Sequence, residues 1–273
     1  LAGHLLARKA AAAGVVYSLA YGDQPALICE LVSWARSCGF NTICAGKGTK
    51  YLPVYHSSTP DTVWKHYGMD FETIAQHDLN PQMFNSFLDG IKSAIEMAAV
   101  SNATGLFPQS EGLRFPPCKI DNLPNICRPI EDGGQLSHKG TVEVVSCMER
   151  DGRMIENHLR WGVFIIIEAP SDYVKSCFTE YGLATDTTGR YAAMYRPYHL
   201  VGLELSVSIL KAGLDGEATG FPVEFNADVI ATAKKNLKAK EMLDGEGGYC
   251  VYGTLKPADL AVKERLLPIG LAN

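Results

Sequence analysis

The chain has 273 residues, 47% of them hydrophobic, enough to build one large core with a small domain beside it. A net charge of -5 and a pI near 5.8 argue against a nucleic-acid partner. The densest basic cluster, Lys234, Lys235, Lys238 and Lys240, is too short and interrupted to neutralise many phosphates. The longest apolar run, Val163 to Ile167, reads as a buried strand, so no membrane partner is expected.

In chain order, His4 to Ala13 reads as a helix already under way, which with Leu at residue 1 implies an amino-terminal truncation. Gly14 ends the helix, and Val15 to Ala20 predicts a short buried strand. No signal or transit peptide is read, and eight cysteines without CxxC pairs fit reduced core thiols, so a cytoplasmic location is expected. Tyr21 to Pro25 is a strand-to-helix turn, with Asp23 as cap and Pro25 opening a helix over Ala26 to Cys38. Gly22, Asp23 and Gln24 either line a cofactor cleft at the strand's carboxyl end or form a plain cap.

The next strand, Asn41 to Ala45, ends in Gly46-Lys47-Gly48-Thr49-Lys50-Tyr51. Backbone amides freed by the glycines, with the ammonium groups of Lys47 and Lys50, suit an anionic substrate; a solvated basic loop is the alternative. His56 follows in the same loop and is a further candidate. The spacing is not that of a Walker A loop.

Asn80 to Leu106 predicts one long helix whose apolar residues surround a thin polar stripe of Asn85, Asp89, Lys92 and Glu96. Gly90 inside it costs roughly 1 kcal/mol against Ala, which points to a close approach. The stripe is a site if the helix is wrapped by protein, and an ordinary solvated face if it is not. Residues 107 to 140 are an irregular excursion. Thr141 to Met148 and Trp161 to Glu168 are strands with the apolar character to pair across a homo-oligomer interface. Ser171 caps a helix through Tyr181, and Tyr191 to Met194 is another strand. Tyr195 to Leu200 opens a helix to about Ala212, with Arg196 and His199 near its anion-favouring amino end; packing is the alternative for His199. After a Gly/Pro-containing linker, short strands punctuated by turns run to the end. No metal-ligand spacing and no G-x-S-x-G elbow appear, so no metal site is assigned.

The blocks YSLAYGDQPALICELV, AGKGTKYLPVYHSSTPDTVW, NPQMFNSFLDGIKSAIEMAAVSNATGL and YRPYHLVGLEL together resemble the deoxyxylulose-phosphate-reductoisomerase-like oxidoreductases, relatives of homoserine dehydrogenase often labelled as SAF-domain proteins. The resemblance implies an α/β protein: an α+β catalytic domain following the end of a Rossmann domain, plus a small all-β SAF or β-clip module. By it, residues 1–20 are the last helix and strand of a Rossmann unit, 21–213 the catalytic and oligomerisation domain, 214–226 a linker, and 227–273 a truncated SAF-like module. No GxGxxG follows a strand, so the dinucleotide phosphate turn is expected to be missing.

The resemblance implies NADP (or NAD) as cofactor and a small phosphorylated or carboxylated substrate, and leaves divalent-metal dependence open. Asp89-Gly90-Ile91-Lys92 is similar to the D-G-x-x-x-K type of homoserine dehydrogenases, though shorter. It implies Lys92 as carbonyl polariser or proton donor, Asp89 as its orienting partner, and Glu96 as a second acid or metal ligand. Lys47 and Lys50 would hold the anionic tail, with His56, Asn85, Arg196 and His199 contributing to the substrate pocket and Gly22, Asp23 and Gln24 to the cofactor. The expected reaction is reduction of a carbonyl, most specifically of deoxyxylulose phosphate to methylerythritol phosphate. A homoserine-type dehydrogenase, a SAF-linked sugar-acid lyase or binding protein, and an inert interaction fragment are the alternatives.

Overall fold

A computed structural model describes residues 2–272. In chain order it runs through α1 (Gly3–Ala12), α2 (Gln24–Ser37), β1 (Asn41–Thr49), α3 (Val63–Tyr67), α4 (Phe71–Gln76), α5 (Pro81–Leu88), α6 (Ile91–Thr104), α7 (Leu123–Ile126) and β2 (Thr141–Ser146). It continues through β3 (Val163–Glu168), α8 (Asp172–Glu180), β4 (Ala184–Thr185), β5 (Tyr191–Arg196), α9 (Leu205–Leu210), β6 (Ala227–Ala233), β7 (Val251–Pro257) and α10 (Ala258–Lys263). No helix among the described residues is long and apolar enough to cross a membrane.

A strand as apolar as Val163-Phe-Ile-Ile-Ile needs cover on both faces, and it has it. It lies at the centre of a five-stranded sheet of order β2-β1-β3-β5-β4, in which β1 and β2 are parallel and the other neighbours antiparallel. Val163, Ile165 and Ile167 join Ala45, Val142 and Val144 in packing against Leu27, Ile28 and Val32 of α2 and Ile91, Met97 and Val100 of α6. Phe164 and Ile166, with Ile43, Val145 and Tyr191, face the other way onto Ile120, Leu123 and Leu136 of the irregular excursion. The β6–β7 pair is a separate two-stranded antiparallel sheet whose Val229, Val251 and Leu255 close the same core as α6. The α/β expectation therefore holds, with a small β module beside the main sheet.

Several local readings are corrected. Val15 to Ala20 forms no strand: Val15 is 59% exposed, and the segment is held by single bonds such as Leu19 N–H to the Gly220 carbonyl at 2.7 Å. β1 runs on through Thr49, so Gly46 and Gly48 sit in a strand and offer no phosphate loop. A Cβ at Gly46 would lie 1.8 Å from the Glu143 carbonyl oxygen, and one at Gly48 1.8 Å from that of Leu159. Glycine is there because neighbouring backbone is close. The long helix of residues 80–106 is two, α5 and α6, broken where Gly90 takes φ +96°, a left-handed conformation open to glycine. β3 pairs on both edges within its own sheet and has none to offer a second copy. The helix expected from Tyr195 begins only at Leu205, which leaves Arg196 on β5 and His199 in the irregular segment after it, away from any helix amino end.

Glu143 on β2 is 1% exposed and accepts from the main-chain N–H groups of Arg114, Phe115 and Val144 and from Gln109 Nε2 at 3.0 Å. Burial nevertheless pushes its pKa from 4.5 up to about 7, outweighing those donors. The folded state thus binds a proton that the unfolded chain has released, and this contribution to stability disappears as pH rises through the interval from 4.5 to about 7. The unfolding free energy measured in urea should decline between pH 5 and pH 8, by an amount on the order of 3 kcal/mol from this group. In Glu143→Gln that decline should shrink, because no charge is buried; an unchanged slope would refute the assignment.

Candidate active site

Alternation along β1 decides which side chains face the helices. Ala45 lies in the core beneath α2 and α6, so Lys47, two residues on, points the same way while Gly46 and Gly48 face the opposite side. Lys47 is 5% exposed and donates to Gln24 Oε1 at 2.9 Å and to the Glu96 carboxylate of α6. Asp23 caps α2 through Gln24 N–H, and Pro25 opens the first turn, so the helix start that carries Gln24 is rigidly placed. Glu96 serves a second ammonium: Lys92 Nζ lies 3.5 Å from its Oε1, one turn earlier on α6.

These groups border a cavity of about 310 Å³ lined by Gln24, Lys47, Lys50, Lys92, Arg160 and His199, with Tyr67, Phe84, Phe87 and Trp161 as its aromatic wall. Three of its cations are seated on aromatic rings: Lys50 at 5.4 Å over Tyr67, Lys92 at 4.6 Å over Phe87 and Arg160 at 4.5 Å over Trp161. Such contacts hold a cation in place without neutralising it. Lys50 also donates to the His66 carbonyl at 2.5 Å, and burial together with Arg160 lowers its pKa from the usual lysine value. His199 is oriented by a 2.6 Å hydrogen bond from Nδ1 to the Trp161 carbonyl. Lys92 lies in the first turn of α6, where a cation opposes the helix dipole at a cost of about 0.3–1 kcal/mol that a bound anion reverses. Four cationic side chains thus converge on one space, with the Glu96 carboxylate paired to two of them, Lys47 and Lys92. Positive charge gathered in this way suits an anionic ligand.

The other predicted residues are elsewhere. Asp89, fully buried at the junction of α5 and α6, does not meet Lys92; it pairs with Lys234 at 2.7 Å and accepts from Ile91 N–H at 3.1 Å. Burial raises its pKa to about 6 against the pull of Lys234. Asp89 and Glu96 are therefore bound to different ammonium groups and do not fit a shared divalent ion. Among the described residues no group of three or more His, Cys, Asp and Glu is placed to hold a metal. Asn85 is a strut, bonded through Oδ1 to Ser58 Oγ and through Nδ2 to the Ser58 and Gly247 carbonyls. His56 bridges the Asp89 carbonyl and the Tyr51 hydroxyl, and burial lowers its pKa. Arg196 is bound to Glu204.

Of the residues expected at a cofactor cleft, Gly22 is enclosed by protein. A Cβ there would meet the Leu200 carbonyl oxygen at 2.7 Å, and Glu204 packs against the same spot. Gln24 alone of that trio reaches the cavity, as the acceptor that holds Lys47. Arg160 and Trp161 escaped sequence reading because Leu159 to Gly162 is a loop with no periodicity; the close pair Gly48 and Gly162 was the available signal.

That loop rests directly on β1, with Gly48 N–H donating to the Gly162 carbonyl at 3.0 Å. Gly48→Ala should displace it, cost about 1–3 kcal/mol of stability in urea unfolding, and weaken binding of inorganic phosphate followed by Trp161 emission. Phosphate affinity equal to that of the parent chain would separate the loop from the anion site.

Residues 22–205, about two thirds of the 273-residue chain, match the family model described as oxidoreductase DRL, catalytic domain. No curated protein matches the chain.

Proposed function

Because the chain belongs to the DRL oxidoreductase family through its catalytic domain, we propose that it reduces the carbonyl of a small phosphorylated substrate with NADPH or NADH, specifically in converting deoxyxylulose phosphate to methylerythritol phosphate, where one carbon-carbon bond breaks and another forms to give a branched aldehyde before hydride reduces it. The observation that carries this reading is the convergence of Lys47, Lys50, Lys92 and Arg160 on one cavity. Lys50 and Arg160, each held on an aromatic ring, are placed for the phosphate dianion. Lys47, fixed by Gln24 and Glu96, orients the chain of the substrate from below. Lys92 retains access to the cavity, with 33% side-chain exposure, and is the group to polarise or protonate the carbonyl oxygen as charge develops there. The nicotinamide cofactor supplies the hydride when bound.

Homoserine, the near alternative, is a zwitterion whose ammonium group would enter a cavity lined by four cations, with the neighbouring Glu96 carboxylate already engaged by Lys47. The charge balance favours a phosphorylated substrate. The segment from residue 227 onward is read as the SAF-like module; its packing on α6 supports a role attached to this catalytic domain, in preference to that of a lyase or sugar-binding unit.

In protein expressed from its full gene, the test follows consumption of NADPH or NADH with deoxyxylulose phosphate and formation of NADH or NADPH from the oxidised cofactors with homoserine, each with and without magnesium or manganese. Lys92→Ala should lower kcat by roughly 10²- to 10⁴-fold, the usual contribution of a positioned acid. Arg160→Ala should act mainly on KM, raising it about tenfold or more through loss of a charge-assisted bond. Turnover of homoserine but not of the phosphorylated ketone would replace the substrate assignment.

A further inference from the structure

The catalytic face of α6 looks into the cation-lined cavity, and its opposite face is covered by β6 and β7. That contact falls on the first residue of the helix. A Cβ at Gly253 of β7 would lie 3.1 Å from Ile91 Cγ1, 3.3 Å from Ile91 Cα and 2.8 Å from Val229 Cγ1, so the hairpin rests against the backbone immediately before Lys92.

A second connection enters from the same side. Lys234, the residue after β6, is 3% exposed at its side chain and uses its three protons on Asp89 Oδ2 at 2.7 Å, the Ser58 carbonyl at 2.8 Å and the Gly248 carbonyl at 2.8 Å. The other Asp89 oxygen accepts Ile91 N–H at 3.1 Å. Gly90, at the cap position of α6, has no side chain to satisfy that N–H, so the Asp89 carboxylate caps the helix. The ammonium from the hairpin thus holds one oxygen of a carboxylate whose other oxygen holds the first turn of the helix that carries Lys92. Neighbouring bonds stiffen the junction: Gln82 Nε2 donates to the Asp244 and Glu246 carbonyls, and His56 Nδ1 to the Asp89 carbonyl at 2.7 Å.

We propose that Lys234 is a positioning residue for the oxidoreductase site: acting through Asp89, it sets the first turn of α6 and thereby aims the Lys92 ammonium into the anion cavity. This rests on the assignment of Lys92 above. It also gives the C-terminal hairpin a task in the chemistry, since the lysine that orients the site is supplied by the segment following β6.

The test is a double-variant cycle on the full chain, with inorganic phosphate as probe, Trp161 emission as readout and Trp161→Phe as the control for its origin. Lys234→Met should weaken phosphate binding at least fivefold, and Lys234→Arg should recover part of the loss. In a Lys92→Ala background, Lys234→Met should add nothing, because its effect passes through Lys92. Losses that multiply in the double variant would show that Lys234 acts on the fold at large, and would overturn the proposal. Where Lys234→Met does not fold, Gly253→Ala asks the same question with the ion pair intact: the added Cβ presses on Ile91 and should weaken phosphate binding only while Lys92 is present. If Lys92→Ala itself leaves phosphate binding unchanged, the assignment of Lys92 fails first and the proposal falls with it; if Lys92→Ala weakens binding and both other variants leave it intact, only the positioning role is refuted.

Discussion

The site depends on a single buried carboxylate. Glu96, 4% exposed on α6, is bound to Lys47 from the sheet and lies 3.5 Å from Lys92 on its own helix, so one negative charge restrains two positive ones. Enclosing charges at this depth is costly, and removing one partner of such a pair typically costs about 3–5 kcal/mol because the other is left uncompensated. The arrangement therefore locks β1, α2 and α6 into one relative position, with Gln24 as the third point of attachment. It also leaves the cluster one positive charge in excess, which is what makes the adjoining space attractive to an anion.

The remaining cations are held differently, and the difference bears on function. Lys50 and Arg160 each lie over an aromatic ring, which fixes direction without neutralising the charge. A carboxylate in each place would have neutralised them. Preorganised positive charge around a carbonyl is the arrangement expected of an oxidoreductase that must stabilise an oxyanion as hydride arrives, consistent with the match to the DRL catalytic domain. The sheet makes this possible by alternation: one face of β1 presents Lys47 to the helices, while the glycines on the other face let Glu143 and Leu159 approach closely enough to bring the Arg160 loop to the rim.

Much of the scaffold was legible in the sequence. Helices α1 and α2, with the Asp23 cap and Pro25, the strands β2, β3 and β5, and the Ser171 cap of α8 all follow from periodicity and local capping chemistry. Lys47, Lys50 and Lys92 were singled out from residue type and spacing, and the fold brings them to one cavity. The misreadings share a cause. Gly90 looks the same in a continuous helix as in a break, and only its φ of +96° distinguishes them; once the helix breaks, Asp89 turns away from Lys92. Gly46 and Gly48 looked like a loop because the backbone crowding that requires them comes from Glu143 and Leu159, about a hundred residues later.

What the sequence by itself determined is the kind of protein: an α/β chain with a buried central strand, a polar stripe on mostly apolar helices, and lysines where a sheet meets them. Those properties reside in short stretches, where side-chain periodicity and capping act over a few residues. What the tertiary structure alone decided is which charges meet. Lys47 with Glu96, Asp89 with Lys234 in place of Lys92, and the Arg160-Trp161 loop at the rim of the cavity beside Lys47 and Lys50 are settled by packing between distant segments. Beyond i,i+4 neighbours such as Lys92 and Glu96, ion pairing carries no sequence signature, because a buried charge takes whichever partner the closed core places within reach.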